Sequence, residues 1–256
     1  MKPLDLLMIV ALASIWGLSF LLTSIAAPVL GPLGLVAARM LIASVALLIY
    51  ARFARGTLPD LRAAWRPYLI LGAFNSALPL TLQAFVVVEL SASLAAILAA
   101  TAPLFTVLAA ALWLGERLTI GNIVGVLLGL AGVAVLVGGG GLPPDNTALV
   151  AVGAALLAAL LYALGGIYTK VAFSGISPLA LVIGQEFLAG LLVLPLALTI
   201  TPVVTLTPGV LVATLALALV MTAGGNLLYF ALIARVGPTR TQVVSFLVPV
   251  VALLVG

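Results

Sequence analysis

The chain has 256 residues, of which 65% are hydrophobic and 6% charged, with ten Lys+Arg against six Asp+Glu. Soluble domains carry about 25% charged residues, so this composition excludes a water-soluble fold. The absence of histidine and cysteine removes disulfides, thiolate chemistry, zinc sites and every His-based triad. There is no G-x-x-x-x-G-K-[ST] phosphate loop, which removes ATP hydrolysis by that route; with no histidine, no Asp-rich metal motif and no buried Ser–base pair either, no enzyme activity, metal or cofactor is expected.

Nine apolar segments follow one another along the chain, at about 4–26, 33–51, 67–88, 91–114, 119–138, 147–170, 178–200, 208–234 and 239–256. Each approaches or exceeds the roughly 20 residues that cross a bilayer core. The first is longer than the roughly 7–15-residue apolar core of a signal peptide and is read as a retained span. Lys2, the Arg52/Arg55/Arg62/Arg66 loop, Arg117, Lys170, Arg235 and Arg240 all fall on one side. The intervening loops on the other side hold no Lys or Arg. Basic residues mark the cytoplasmic face, which places the N-terminus inside a multi-pass protein of the cytoplasmic (inner) membrane.

The chain repeats itself at an offset of 146 residues: Pro32 falls on Pro178, Pro103 on Pro249 and Trp16 on Tyr162. The first copy holds five spans, an odd number, so the second enters from the opposite side. This is an inverted-topology repeat. The expected domains are residues 1–138 (spans 1–5), a linker at 139–146 around Gly138-Gly-Gly-Gly-Leu-Pro-Pro, and 147–256 (spans 6–9). The fold class is therefore all-α integral membrane, two inverted five-helix repeats, with nine spans present. A tenth, the counterpart of 120–137, is expected beyond the end of this chain.

The stretch TAPLFTVLAAALWLGERLTIGNIVGVLLGLAGVAVL (101–136) and the N-terminal ALASIWGLSFLLTSIA resemble the drug/metabolite transporter (DMT) superfamily, EamA family. The resemblance extends over both halves. It implies a ten-helix basket in which helices 1, 3, 4 and 6, 8, 9 line a central cavity, with 5 and 10 peripheral. Within the family the chain is similar to the YddG-type exporters of amino acids and related metabolites.

Transporter sites lie near the midplane, where helices are interrupted at corresponding places in the two halves. Span 3 carries Asn75-Ser76-Ala77-Leu78-Pro79 and span 8 carries Thr222-Ala223-Gly224-Gly225-Asn226 at the matching position. Proline removes a helical N–H and clashes with the preceding turn; paired glycines loosen a helix by another route. Ser76, Pro79 and Gln83 share one α-helical face, as do Thr222, Gly225 and Tyr229. Trp16 and Ser19 in span 1 answer Tyr162 in span 6. Thr101 precedes Pro103, and Ser245 beside Gln242 precedes Pro249. These polar and aromatic residues are the candidate substrate contacts, and Pro79, Pro103, Gly224, Gly225 and Pro249 the candidate hinges. Aromatic faces with scattered hydroxyls and amides suit a small zwitterionic or neutral solute. The competing reading for each hydroxyl is a bond to its own helix backbone.

Two charges fall inside the spans. Arg39 could hold a carboxylate, from the substrate or from Glu186, or reach toward the interface. Glu186, the one deep carboxylate, is the candidate for coupling to protons, or a structural hydrogen bond between helices. Gly121, Gly125 and Gly129 form a small-residue face on span 5 that serves either packing within a monomer or a dimer contact. The leading function is a secondary transporter for a small organic solute, an amino acid or related metabolite, working by alternating access and exporting. The alternative is a non-transporting membrane subunit or receptor.

Overall fold

The computed structural model describes residues 2–53, 58–138, 146–200 and 206–255, and every regular element among them is a helix. Six segments are long and apolar enough to cross a membrane: Pro3–Phe53, Leu61–Glu89, Ala92–Leu114, Asn146–Ala172, Pro178–Ile200 and Pro208–Val236. The first, α1 (Pro3–Phe53), has 51 residues, roughly 75 Å of helix. It holds the first two spans, which reverse at Gly31. There φ is 69° and ψ is 156°, a conformation glycine reaches without the Cβ penalty. The loop expected over 27–32 thus contracts to a one-residue break between Pro28 and Pro32.

The third span is composite. Asp60 caps α2 (Leu61–Gly72) by accepting from the Ala63 N–H, a π turn spans Ala73–Ala77, and α3 (Leu78–Glu89) completes the crossing. The fourth comprises α4 (Ala92–Ala99), capped by Ser91, and α5 (Ala102–Leu114), which stops at Gly115 with φ 67°. Then come α6 (Ile120–Gly138), α7 (Asn146–Ala172) and α8 (Pro178–Ile200). The eighth span mirrors the third: α9 (Pro208–Ala216), a π segment at Leu217–Gly224, and α10 (Gly225–Val236). The ninth is α11 (Pro238–Thr241) with α12 (Val244–Val255). The fold is that of two inverted helical repeats. The expected linker falls almost wholly on residues outside the described set; Asn146 already opens α7.

The predicted bends are realised unevenly. Pro103 stands in the first turn of α5, directly after the break at Ala100–Thr101, where its missing N–H leaves no helical bond unmade. Pro249 lies inside α12, and the ninth span breaks earlier, at Gln242–Val243. There Ser245 N–H bonds to Gln242 O at 3.0 Å and Phe246 N–H to Val243 O at 3.1 Å. These tight turns absorb the bend a full turn before the proline.

Without a hydrophobic driving force in lipid, helices associate by close packing at small residues. A Cβ on Gly72 would stand 2.8 Å from the Gln185 carbonyl, and one on Gly184 would stand 2.6 Å from the Tyr68 ring. The third and seventh spans are therefore locked backbone to backbone, and this contact delivers Gln185 and Glu186 to the π turn. One buried cluster, with Leu12, Leu71, Leu98 and Phe230, joins the halves; another, with Leu35, Met40, Ala189 and Leu217, packs α1 against α8 and α9. On α6, Gly129 lies against Leu104 of α5, whereas nothing stands within 4 Å of a Cβ at Gly125. The small-residue face thus packs within the monomer at one end only.

Candidate functional site

A cavity of about 80 Å³ lies between the two halves. The first half contributes Trp16, Ser19, Phe20, Arg39, Asn75, Leu80 and Gln83 to its wall. The second contributes Tyr162, Met221, Thr222, Asn226, Tyr229, Gln242 and Ser245. A recess lined by Thr23, Gln83, Ala84 and Val87 continues from it toward the far ends of the first and third spans, away from Lys2.

The π segments place the wall. A π turn carries one more residue than an α turn, so it rotates the face that follows from a straight helical wheel. Ser76, expected on the cavity face with Gln83, is fully buried and points at Glu186; its neighbour Asn75 takes the place on the wall. In the eighth span the Thr222 hydroxyl donates to Leu217 O at 2.8 Å, closing a five-residue turn. Gly225 has no room for a side chain, because a Cβ would stand 2.8 Å from Trp16 Nε1. That gap lets the Trp16 indole settle 5.3 Å from the Tyr229 ring, centroid to centroid. Together they form one aromatic wall from both halves.

Arg39 is 6% exposed and donates from Nε to Thr222 Oγ1 at 3.0 Å. It makes no ion pair among the described residues, so its remaining guanidinium donors have no carboxylate partner. Glu186 is wholly buried and absent from the cavity wall. Its Oε1 accepts three hydrogen bonds, from Ser76 Oγ at 2.7 Å, Gln185 Nε2 at 2.7 Å and Asn226 Nδ2 at 2.8 Å. Among the described residues its Oε2 has no partner, nor does Asn75 Oδ1. Asn75 Nδ2 donates to Gln185 Oε1 at 3.2 Å. Two amides on the cavity wall, one from each half, therefore reach the same carboxylate, Asn226 directly and Asn75 through Gln185.

Of the residues singled out by sequence, Thr101 lies off the wall, its hydroxyl donating to Leu98 O at 2.7 Å. Ser19 is on the wall, but its hydroxyl donates to Trp16 O at 2.6 Å. Ser245 donates to Gln242 Oε1 at 3.1 Å. Gln185 falls on Arg39 under the 146-residue offset but carried no signal of its own, and Gln242 was named only as a neighbour of Ser245. Phe20 and Met221 carried no signal beyond apolar helix.

The profile of the EamA-like transporter family matches residues 4–138 and again 149–256. The chain belongs to the EamA-like transporter family. It is 28% identical over 260 residues to YvbV of Bacillus subtilis (strain 168), an uncharacterized transporter, covering 99% of this chain and 83% of that protein. A crystal structure of a protein at 22% identity matches with a TM-score of 0.73, over 99% of this chain and 87% of the other; that likeness concerns the fold. Membership in the EamA-like family makes this a multi-pass membrane transporter.

Proposed function

We propose that the protein is a secondary transporter that moves a small organic solute, an amino acid or related metabolite, across the cytoplasmic membrane by alternating access. The observation that carries this is the cavity between the halves, bounded on both sides by interrupted helices, the arrangement around which transporter repeats rock. Arg39 offers a fixed cation, the Trp16–Tyr229 wall an apolar face, and Asn75, Gln83, Asn226 and Gln242 offer amides. That set fits a zwitterion better than a polyanion or a hydrocarbon. Export follows from the family resemblance, and the N-terminus is assigned to the cytoplasm from the basic residues. Glu186 is the candidate proton carrier, because its Oε2 is free to take one while Oε1 stays anchored. The monomer contains both halves of the site, so no second copy is required.

Purified protein in liposomes, loaded with each amino acid in turn and challenged with the radiolabelled form, tests the proposal. Saturable counterflow of at least one amino acid is expected, falling at least about tenfold in Asn226→Ala and Tyr229→Ala. No counterflow across the panel, together with a partner protein that co-purifies stoichiometrically, would favour a subunit or receptor instead. An imposed pH gradient that drives Glu186→Gln as well as the parent would end the proton role.

A further inference from the structure

The two repeats are tied together asymmetrically. At the Lys2 end, Asp5 of α1 meets Arg235 of α10, with Nη2 at 2.7 Å and Nε at 2.8 Å from Oδ1. Asp5 is 4% exposed, and its other oxygen accepts from the Lys2 backbone N–H at 3.0 Å. Beside it, Glu116, in the turn after α5, reaches Lys170 of α7 at 3.3 Å and Thr239 of α11 at 3.4 Å. The Tyr68 ring of α2, packed on Gly184 of α8, lies 4.7 Å from the Phe173 ring that follows α7, both almost fully buried. Apart from the Lys2 bond, each of these contacts joins the first repeat to the second. At the opposite end no ion pair among the described residues does so, and it is toward that end that the recess beyond the cavity runs.

We infer that the Lys2 end is a closed gate, in which the Tyr68–Phe173 stack is part of the packing across the two repeats and the Asp5–Arg235 pair is the latch that must release before the cavity opens there. The two pairs differ in strength. Glu116 and Lys170 are 42% and 46% exposed in their side chains, and water screens such a pair. Arg235 is exposed to a similar degree, at 40%, but the Asp5 side chain is only 6% exposed, so separating the two leaves a carboxylate poorly solvated until the helices part and water enters. The Asp5 pair is therefore the stronger tie across this end, and the Glu116 pair trims the balance. The gate supplies the second state that the transport proposal needs, and it rests on that proposal for its purpose, though not for its detection.

The chain has no cysteine, so a single introduced thiol reports alone. Ile9→Cys places one a turn inward from Asp5, at a position 3% exposed. Gln83→Cys places one on the recess side of the cavity. Each is reacted with a charged, membrane-impermeant thiol reagent in detergent solution. Asp5→Asn and Arg235→Gln are expected to speed labelling at position 9 by about tenfold and to slow it at position 83. Arg235→Lys should restore the parent rates. The Asp5→Asn/Arg235→Gln double variant should label no faster than either single, as expected when both remove one interaction. Labelling at position 9 within about twofold of the parent in both single variants overturns the latch. So does faster labelling at position 9 with none lost at 83, since that describes fraying of one end. Reciprocal labelling in a protein that carries no amino acid would leave the gate standing and count against the cargo assignment alone.

Discussion

Arg39 and Glu186 occupy nearly the same place in the two repeats, one position apart in register, yet they are held in opposite ways. Arg39 lies on the cavity wall with a single hydrogen bond to Thr222. Glu186 lies behind the wall with three donors on one oxygen. A charge with few protein partners remains available to a ligand; a charge with many has become part of the scaffold. Pseudo-symmetry here governs the backbone, including the paired π segments at Ala73–Ala77 and Leu217–Gly224. The chemistry hung on that backbone is divided between the halves.

The sharpest way to break this contrast is Glu186→Leu. It leaves the fully buried Ser76 hydroxyl without its acceptor and takes one of the two acceptors from Gln185 Nε2, a buried orphan costing about 1–3 kcal/mol, while Asn226 can still turn to the cavity. We expect loss of monodisperse protein, or a large fall in Tm in detergent, whereas Glu186→Gln, which keeps an acceptor, should cost only ~1 kcal/mol. Equal Tm values for the two variants would show that the donors are not what holds Glu186. Next is Gly225→Val. Its added side chain meets Trp16 Nε1, so the indole must swing into the cavity. Overpacking of this kind costs about 1–3 kcal/mol, and counterflow should fall at least tenfold at unchanged expression. Arg39→Leu should behave oppositely to Glu186→Leu. It removes a buried cation whose insertion costs at least ~2.5 kcal/mol and gives up one hydrogen bond. Tm is therefore expected to stay level or rise, while counterflow of carboxylate-bearing solutes falls and that of neutral ones is spared. The smallest effect is expected from Pro79→Ala. The restored N–H can bond to the preceding turn and favour α over π, rotating Asn75 off the wall. A modest rise in Km with little change in Tm, by about 1 kcal/mol or less, would mark it.

The spans and the two midplane interruptions were legible because they rest on local signals. Apolar length, the Asn-Ser-Ala-Leu-Pro run and the Gly-Gly pair need no tertiary knowledge. The 146-residue offset then gave the inverted pairing. Asn75 was legible as a candidate contact, but the withdrawal of Ser76 from the wall was not, because a helical wheel assumes an unbroken α period and the π turn breaks it. Nor was the Glu186 network, since Ser76 and Gln185 are 109 residues apart in sequence and meet only because Gly72 and Gly184 let two helices touch. The Asp5–Arg235 pair, 230 residues apart, lay beyond any local pattern. Before folding, both residues belong to the basic-rich face and suggest only orientation.

The break at Gly31 has a mechanical consequence. A loop of several residues would let the first and second spans slide independently; a joint of one residue leaves no slack. The two limbs of α1 form a single V-shaped lever, with Asp5 near the tip of one arm and Trp16 at its middle, and Arg39 on the other arm. Arg39 and Asp5 are thus joined by helix through one glycine, so the two arms can pivot at Gly31 but cannot slide past each other.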